Sequence, residues 1–557
     1  MSPNLITFIF FYFAIITSAV GHGFLIANAA NLKNTHYNKG YLGLFGIFFL
    51  IFYSYLSHFF IPHNYSNNII ILVLGLLSFI YFFEKKNKNE YVLFYLFFLI
   101  LLISFINFKT HDDFSYYHFP YTYYLTQNNL LVGIGSFNHG FRTPSSIFYL
   151  NSLFYLPIIK YYFFHIGALM IMGFSSLILL EYVLKKINKK KIDIIFFLSL
   201  MGFMFINIFF YRLSEHGTDR SAQILIFLLI IELLILINLD KHFRENSTKF
   251  FVLLILVISL KSFYMLYLVL LFPVLYYIIK DKKIAYLKDF LKNPFFYLSI
   301  LIFIFILLIN FFNSGCLVYP VSITCFENFS WSIPVQEVSQ MNNWYEQWSK
   351  GGAGPNFRVN NPEIYIQKFN WVDNWMTVYF FNKVSDFLYG IIFLSVIFFV
   401  IFNTKNSKIK HSYKRVLLIY LMLVLLFIEW FYNHPALRYG GYHLIALLLF
   451  LPIAQYLNKK EYLNFSINIR AYFLIFLTLS IFIGRNFNRL QKEETQYNYK
   501  PIKKIIYHVD NSYFRIQNIF NNIIKINNDC INQFDYCNKH KDFNVKKIFG
   551  HIIFFRK

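Results

Sequence analysis

Runs of apolar residues about as long as a bilayer core is thick recur along almost the whole chain. Tyr91–Phe108, Ile194–Tyr211, Ile224–Leu239 and Phe296–Phe312 are examples, each near the length a helix needs to cross the hydrocarbon layer. Of 557 residues, 57% are hydrophobic and only 14% are charged, well below the usual charged fraction of a soluble domain. A multi-pass membrane protein is therefore expected. The net charge of +24 does not call for a nucleic-acid partner, because of where the charge lies. Basic clusters at Lys85–Lys88, Lys185–Lys191, Lys280–Lys292, Lys405–Arg415 and Lys459–Lys460 fall in short gaps between apolar runs. That placement marks the cytoplasmic side of a membrane protein.

Those clusters orient the remainder. Apolar segments lie near 5–28, 41–60, 67–83, 91–108, 161–184, 194–211, 222–239, 250–280, 294–312, 386–403, 416–432, 439–457 and 470–484. Parity requires the long 250–280 stretch to be a hairpin of two short helices turning near Lys261. The expected fold is thus an all-α polytopic bundle of about 13–14 transmembrane helices. Segments 109–160, 212–221, 313–385 and 433–438 and the tail from Arg485 lie outside. Residues 5–26, followed by Ala27-Asn28-Ala29, imitate a signal peptide. No Lys or Arg precedes the run and the run is long, so a retained helix is expected. The organisation predicted is additional N-terminal helices over 1–90, a catalytic core over 91–312 and an external Trp-rich loop over 313–385. C-terminal helices over 386–484 and an external soluble tail over 485–557 follow.

Cysteines fit that orientation. Cys316 and Cys325 share the 313–385 loop, and Cys530 and Cys537 share the tail. Two local disulfides in an oxidising compartment are expected. The alternative, one zinc site of all four, lacks the tight spacing of zinc knuckles. The sequence has no glycine-rich phosphate loop and no dinucleotide fingerprint, so no nucleotide cofactor is expected.

Chemistry should show where polar residues concentrate against this apolar background. The densest place is His111-Asp112-Asp113-Phe114-Ser115-Tyr116-Tyr117-His118-Phe119-Pro120, as the 91–108 helix leaves the membrane. Adjacent carboxylates repel each other, can keep one proton available, and can deprotonate an acceptor hydroxyl. The competing reading is that Asp112 caps the helix starting near Phe114 while Asp113 favours its dipole. A second concentration, Ser136 to Ser146, contains His139 and Arg142. Arg142 offers a phosphate two parallel donors, or faces lipid headgroups. A third, Ser214-Glu215-His216-Gly217-Thr218-Asp219-Arg220, puts Asp219 on the same face, as a second acidic group or a solvated turn former. The fourth, Asn433 to His443, places Arg438 and Tyr439 at a helix start, where amide donors favour an anion. Lys261 is alone in an apolar stretch, a functional position by default unless it reaches water at the turn. A divalent metal is left open at His111, Asp112, Asp113, His118 and His216.

These motifs resemble those of the GT-C class of membrane glycosyltransferases, which includes protein O-mannosyltransferases and the aminoarabinose transferase of lipid A. Asp112-Asp113, with Tyr117-His118-Phe119-Pro120 after it, is similar to the acidic motif of that fold's first large external loop. Asp219 in Gly217-Thr218-Asp219-Arg220 is similar to the acidic residue of the next one. Arg438-Tyr439-Gly440 resembles a late arginine motif, and Asn138-His139-Gly140-Phe141 to Ser145-Ser146 is similar to a poorly characterised bacterial branch. The likeness covers roughly residues 90 to 484. Three additional helices, over 1–90, precede the 91–108 helix that leads into the acidic motif, where the class usually has a single helix before it.

The resemblance implies a GT-C-like bundle in the cytoplasmic (inner) membrane with its active site facing the periplasm or exterior. It implies a sugar transferred from a polyprenyl-phosphate-linked donor to a glycan, lipid or protein acceptor of the cell envelope. Asp113 or Asp112 would be the catalytic base, with Asp219 as the further acidic residue. Lys261, Arg142 or Arg438 would hold the carrier phosphate, with His118, His139 and Tyr439 lining the substrate site. Trp331, Trp344, Trp348, Trp371 and Trp375, five of the six tryptophans, would stack on sugar or anchor the loop at the membrane surface. The alternatives are a flippase or transporter of lipid-linked glycan, an O-antigen polymerase or ligase, and a structural membrane subunit.

Overall fold

The computed structural model describes residues 3–32, 38–83, 88–106, 110–111, 113–239, 242–354, 359–405, 415–462, 464–498, 500, 518–540 and 543–557. Among these residues, eight helices are long and apolar enough to cross a membrane. They are Leu5–Ala29, Lys39–His58, Tyr161–Asn188, Ser262–Lys280, Pro294–Ser314, Val372–Phe402, Val416–Asn433 and Ser466–Tyr497. Tyr65–Tyr81, Glu90–Phe105, Ile194–Phe209 and Gly441–Leu457 are shorter apolar helices. Two more, Asp219–Leu236 and Phe243–Leu260, are of similar length but each carries three charged residues.

The first three helices pack at glycines. A Cβ at Gly23 would overlap the carbonyl of Leu42, one at Gly46 that of Ala19, and one at Gly21 that of Gly75. Backbones approach this closely only where no side chain intervenes. Gly23→Ala should therefore lower stability by about 1–3 kcal/mol, the usual range for overpacking. A lowered unfolding temperature in detergent would show it, and an unchanged one would mean that this contact gives way easily.

The 250–280 stretch reverses at Lys261, as parity requires. Lys261 is extended (φ −162°, ψ 137°) between the Phe243–Leu260 helix and a 3-10 segment, Ser262–Leu270, that leads into Leu271–Lys280. The return is seen at the far end. Lys283 and Tyr286 donate to the Leu239 carbonyl at 2.9 and 3.0 Å, and Tyr286 stacks on Phe243. Arg415 also sits there, paired with Asp281 and donating to the Ile237 carbonyl. One end of the bundle thus gathers the described residues of several basic clusters.

The opposite end carries the polar segments. Here the largely helical chain also carries one small three-stranded sheet, ordered β1-β3-β2, which the sequence alone does not lead one to expect. β1 is Leu131–Val132, and β2 (Phe543–Ile548) and β3 (His551–Arg556) form a C-terminal hairpin. β3 lies parallel to β1 with Ile552 opposite Leu131. The last residues are therefore docked on the 131–142 segment, and Phe554 is buried against Phe137. The cysteines form two separate disulfides, Cys316–Cys325 and Cys530–Cys537.

Candidate functional site

Asp113, Asp219, Lys261 and Arg438 meet at this polar end in one ion network. Arg438 reaches Asp113 Oδ2 through Nη2 at 2.9 Å and Asp219 Oδ2 through Nε at 3.2 Å. Lys261 Nζ takes the other Asp219 oxygen at 2.6 Å. A planar guanidinium suits this bridging, since its N–H groups point in fixed and different directions.

Local structure explains the convergence. Asp113 precedes a π-helical turn, Phe114–His118, and its side chain makes no capping bond. Its carboxylate points to Arg438, while the cap expected of Asp112 falls outside the described residues. Asp219 stands in the first turn of the Asp219–Leu236 helix, so its side chain is held at that helix's mouth. Lys261 reaches it from the break between two helices. Tyr439 lies beneath Lys261, 4.3 Å from Nζ to ring centroid, and Trp348 faces the Arg438 guanidinium at 5.4 Å.

The turn that carries Arg438 is tied from several sides. Gln223 donates to the Arg438 carbonyl at 2.8 Å, and Trp375 and Trp430 donate to the Pro435 and Ala436 carbonyls, each at 3.0 Å. The Leu437 amide donates to the Tyr379 hydroxyl at 3.0 Å. Gly440 follows at φ +141°, where a side chain would be strained. Four backbone groups are thus satisfied by side chains from other elements, which fixes the guanidinium without touching it.

Charge in the site follows from these neighbours. Burial pushes the Asp113 carboxyl up, but the Arg438 guanidinium, with His111 and His118, overrides it and holds the group below the ordinary carboxylate range. The expectation that the acidic pair keeps one proton involves Asp112, which lies outside the described residues. Burial lowers both His111 and His118. Burial also lowers Lys261, against the pull of Asp219.

The sign of the resulting pH effect is fixed. A carboxylate with a depressed folded pKa contributes stability fully above its unfolded value, about 4, and loses it as pH falls through the folded value. The stability difference between wild type and Asp113→Asn should be level from about pH 7 to 5 and shrink below about 4. Unfolding midpoints across that range would check it. A difference that grows on acidification would contradict the ion pair.

The other predicted residues are placed as follows. Asp112 lies outside the described residues. His118 packs edge-on to His111 at 5.0 Å between ring centroids, and His139 contacts the Tyr116 hydroxyl (3.3 Å) and faces Trp344. Arg142 does not join the network. It is buried, pairs with Glu337 at 2.8 Å, and donates to the Gly135 carbonyl at 2.9 Å. It thus bolts the 131–142 segment to the Val335–Lys350 helix and is buried rather than facing lipid headgroups. Trp371 and Trp375 are buried and spend their indole N–H groups on backbone carbonyls. They are not free to stack on sugar. Trp331, Trp344 and Trp348 are only half-buried. Among the described residues, no three His, Cys, Asp or Glu side chains are grouped to hold a metal ion.

Sequence reasoning missed Gln223, and also Glu232, which is fully buried further along the same helix. The hydroxyls of Tyr41 and Tyr182 both donate to Glu232 Oε1, with Lys249 Nζ 3.9 Å from Oε2. The signal was present: each is a polar residue inside an otherwise apolar helix.

Residues 5–445 match the family described as "Domain of unknown function (DUF8201)". The chain belongs to that family. The DUF8201 match spans all four residues of the ion network and ends before the C-terminal hairpin. No curated protein and no solved structure matches the chain.

Proposed function

We propose that the chain is a multi-pass membrane glycosyltransferase that takes a sugar from a polyprenyl-phosphate-linked donor on the outer side of the membrane. The observation that carries this reading is the network itself. Four charged residues, far apart in sequence, converge at one end of an apolar bundle, opposite the basic end.

In this reading the acceptor hydroxyl oxygen attacks the anomeric carbon, and the bond from that carbon to the phosphate oxygen breaks. The electron pair leaves with the lipid phosphate, whose charge Arg438 and Lys261 neutralise. Asp113 takes the hydroxyl proton. At rest Asp113 is a weak base because Arg438 is paired to it. An incoming phosphate competes for that guanidinium, and as the pairing weakens the carboxylate becomes more basic. Base strength then rises only when donor is present. Trp344 and Trp348, one helical turn apart and near His139 and Arg438, offer ring faces to a sugar.

A second reading is transport of a lipid-linked glycan, and it draws on Glu232. A carboxylate buried within a membrane-length helix beside a lysine is the usual mark of an ion or proton path. Turnover separates the two. Purified protein in proteoliposomes, given polyprenyl-phosphate sugars extracted from the producing cells and an acceptor glycolipid fraction, should release sugar-free carrier. Movement of the intact lipid-linked sugar between leaflets without its consumption would establish transport instead.

A further inference from the structure

We infer that the tip of the C-terminal hairpin is a membrane-interface anchor, with Phe549 inserted at the boundary of headgroups and acyl chains. The inference rests on the helices spanning a bilayer, but not on the proposed transfer chemistry.

Phe549 is 99% exposed and Ile548 beside it is 44% exposed. An isolated exposed apolar residue means little, but three further observations bear on this one. First, Phe549 has φ +48°, a left-handed position that disfavours a side chain with a Cβ. A large aromatic retained there, ahead of Gly550, costs the folded chain, so its exposed ring calls for an occupant outside the chain. Second, the tip sits at the end of a membrane-length helix. The His58 carbonyl, at the end of Lys39–His58, accepts from the Leu130 amide at 3.0 Å; Leu131 pairs with Ile552, next to His551. His551 is also close enough to His58 for the two to interact electrostatically. Phe60 and Ile61, which follow that helix, are 73% and 44% exposed. Third, Lys546 and Lys547 are exposed on the strand entering the tip. An aromatic tip flanked by lysines, level with the end of a spanning helix, has the chemistry of the lipid headgroup layer. The ring takes the acyl boundary and the ammonium groups take anionic phosphates.

The experiment uses the full chain in nanodiscs, in phosphatidylcholine or in phosphatidylethanolamine with phosphatidylglycerol. Phe549→Cys carries a nitroxide, and relaxation by oxygen is compared with relaxation by a water-soluble nickel chelate. Glu494→Cys, exposed on the Asn464–Tyr497 helix beyond its apolar part, is the aqueous reference. Phe393→Cys, 67% exposed on Ser385–Phe402, is the lipid reference. The oxygen-to-nickel ratio at 549 should exceed that at 494 about tenfold. Lys546→Gln with Lys547→Gln should lower it in the phosphatidylglycerol discs and leave it unchanged in phosphatidylcholine. A ratio at 549 equal to that at 494, with 393 reading lipid, would overturn the anchor. Protection of 549 from both reagents would overturn it in favour of a second copy or another protein covering the tip. If 393 itself reads water, the spanning assignment on which the anchor rests is lost.

Discussion

Cells carrying Arg438→Lys should lose sugar transfer by about two to three orders of magnitude while keeping normal amounts of the protein in the membrane. The substitution preserves one positive charge but not the geometry. Arg438 bridges Asp113 and Asp219 through separate N–H groups, Nη2 and Nε. An ammonium is a point charge on a flexible stem and cannot hold two carboxylates and then a phosphate in fixed directions. The turn beneath it, tied by Gln223, Trp375, Trp430 and Tyr379, makes only backbone bonds and is untouched by the change. Stability should therefore fall little, since Arg438 and Asp113 are each about one-third exposed and solvent screens their pairing. Transfer rates near wild type would show that the charge alone suffices, and would remove the reason for an arginine.

The largest stability effect is expected at Asp219. Its side chain is 8% exposed and is shared by Lys261 and Arg438. Asp219→Ala leaves the half-buried Lys261 without its carboxylate, which should cost about 3 kcal/mol, the low end for breaking a buried pair. Asp219→Leu combined with Lys261→Met removes both charges and should recover about half of that loss, because the unpaired ion rather than the missing bond is what destabilises. Unfolding in detergent micelles, with a double-mutant cycle, measures the coupling. Strictly additive losses would mean that the 2.6 Å contact contributes no energy.

Much of the site was legible because polar residues stand out in an apolar chain. Asp113, Asp219, Lys261 and Arg438 were each conspicuous, and parity placed all four on one face. Which partner each would take was not legible, because pairing depends on how the helix mouths are arranged in space. Arg142 shows the limit. Its segment read as a polar external loop, yet Glu337, nearly two hundred residues later, occupies its guanidinium. Trp371 and Trp375 show the same limit for aromatics, since composition gives their number in the loop but not their burial. The C-terminal hairpin escaped for a different reason. Its two strands pair locally over six residues each, but the hairpin docks through Leu131 and Val132, more than four hundred positions away. Gln223 and Glu232 were available signals, passed over because the helix around them is so strongly apolar.

The most direct measurement is glycan and glycolipid analysis of cells carrying Asp113→Asn, after confirming normal membrane abundance of the variant. The account predicts loss of one sugar addition, with the lipid-linked donor accumulating outside the cytoplasm. An unchanged profile would leave Asp113 as no more than a member of a structural ion network and would contradict the proposed transfer.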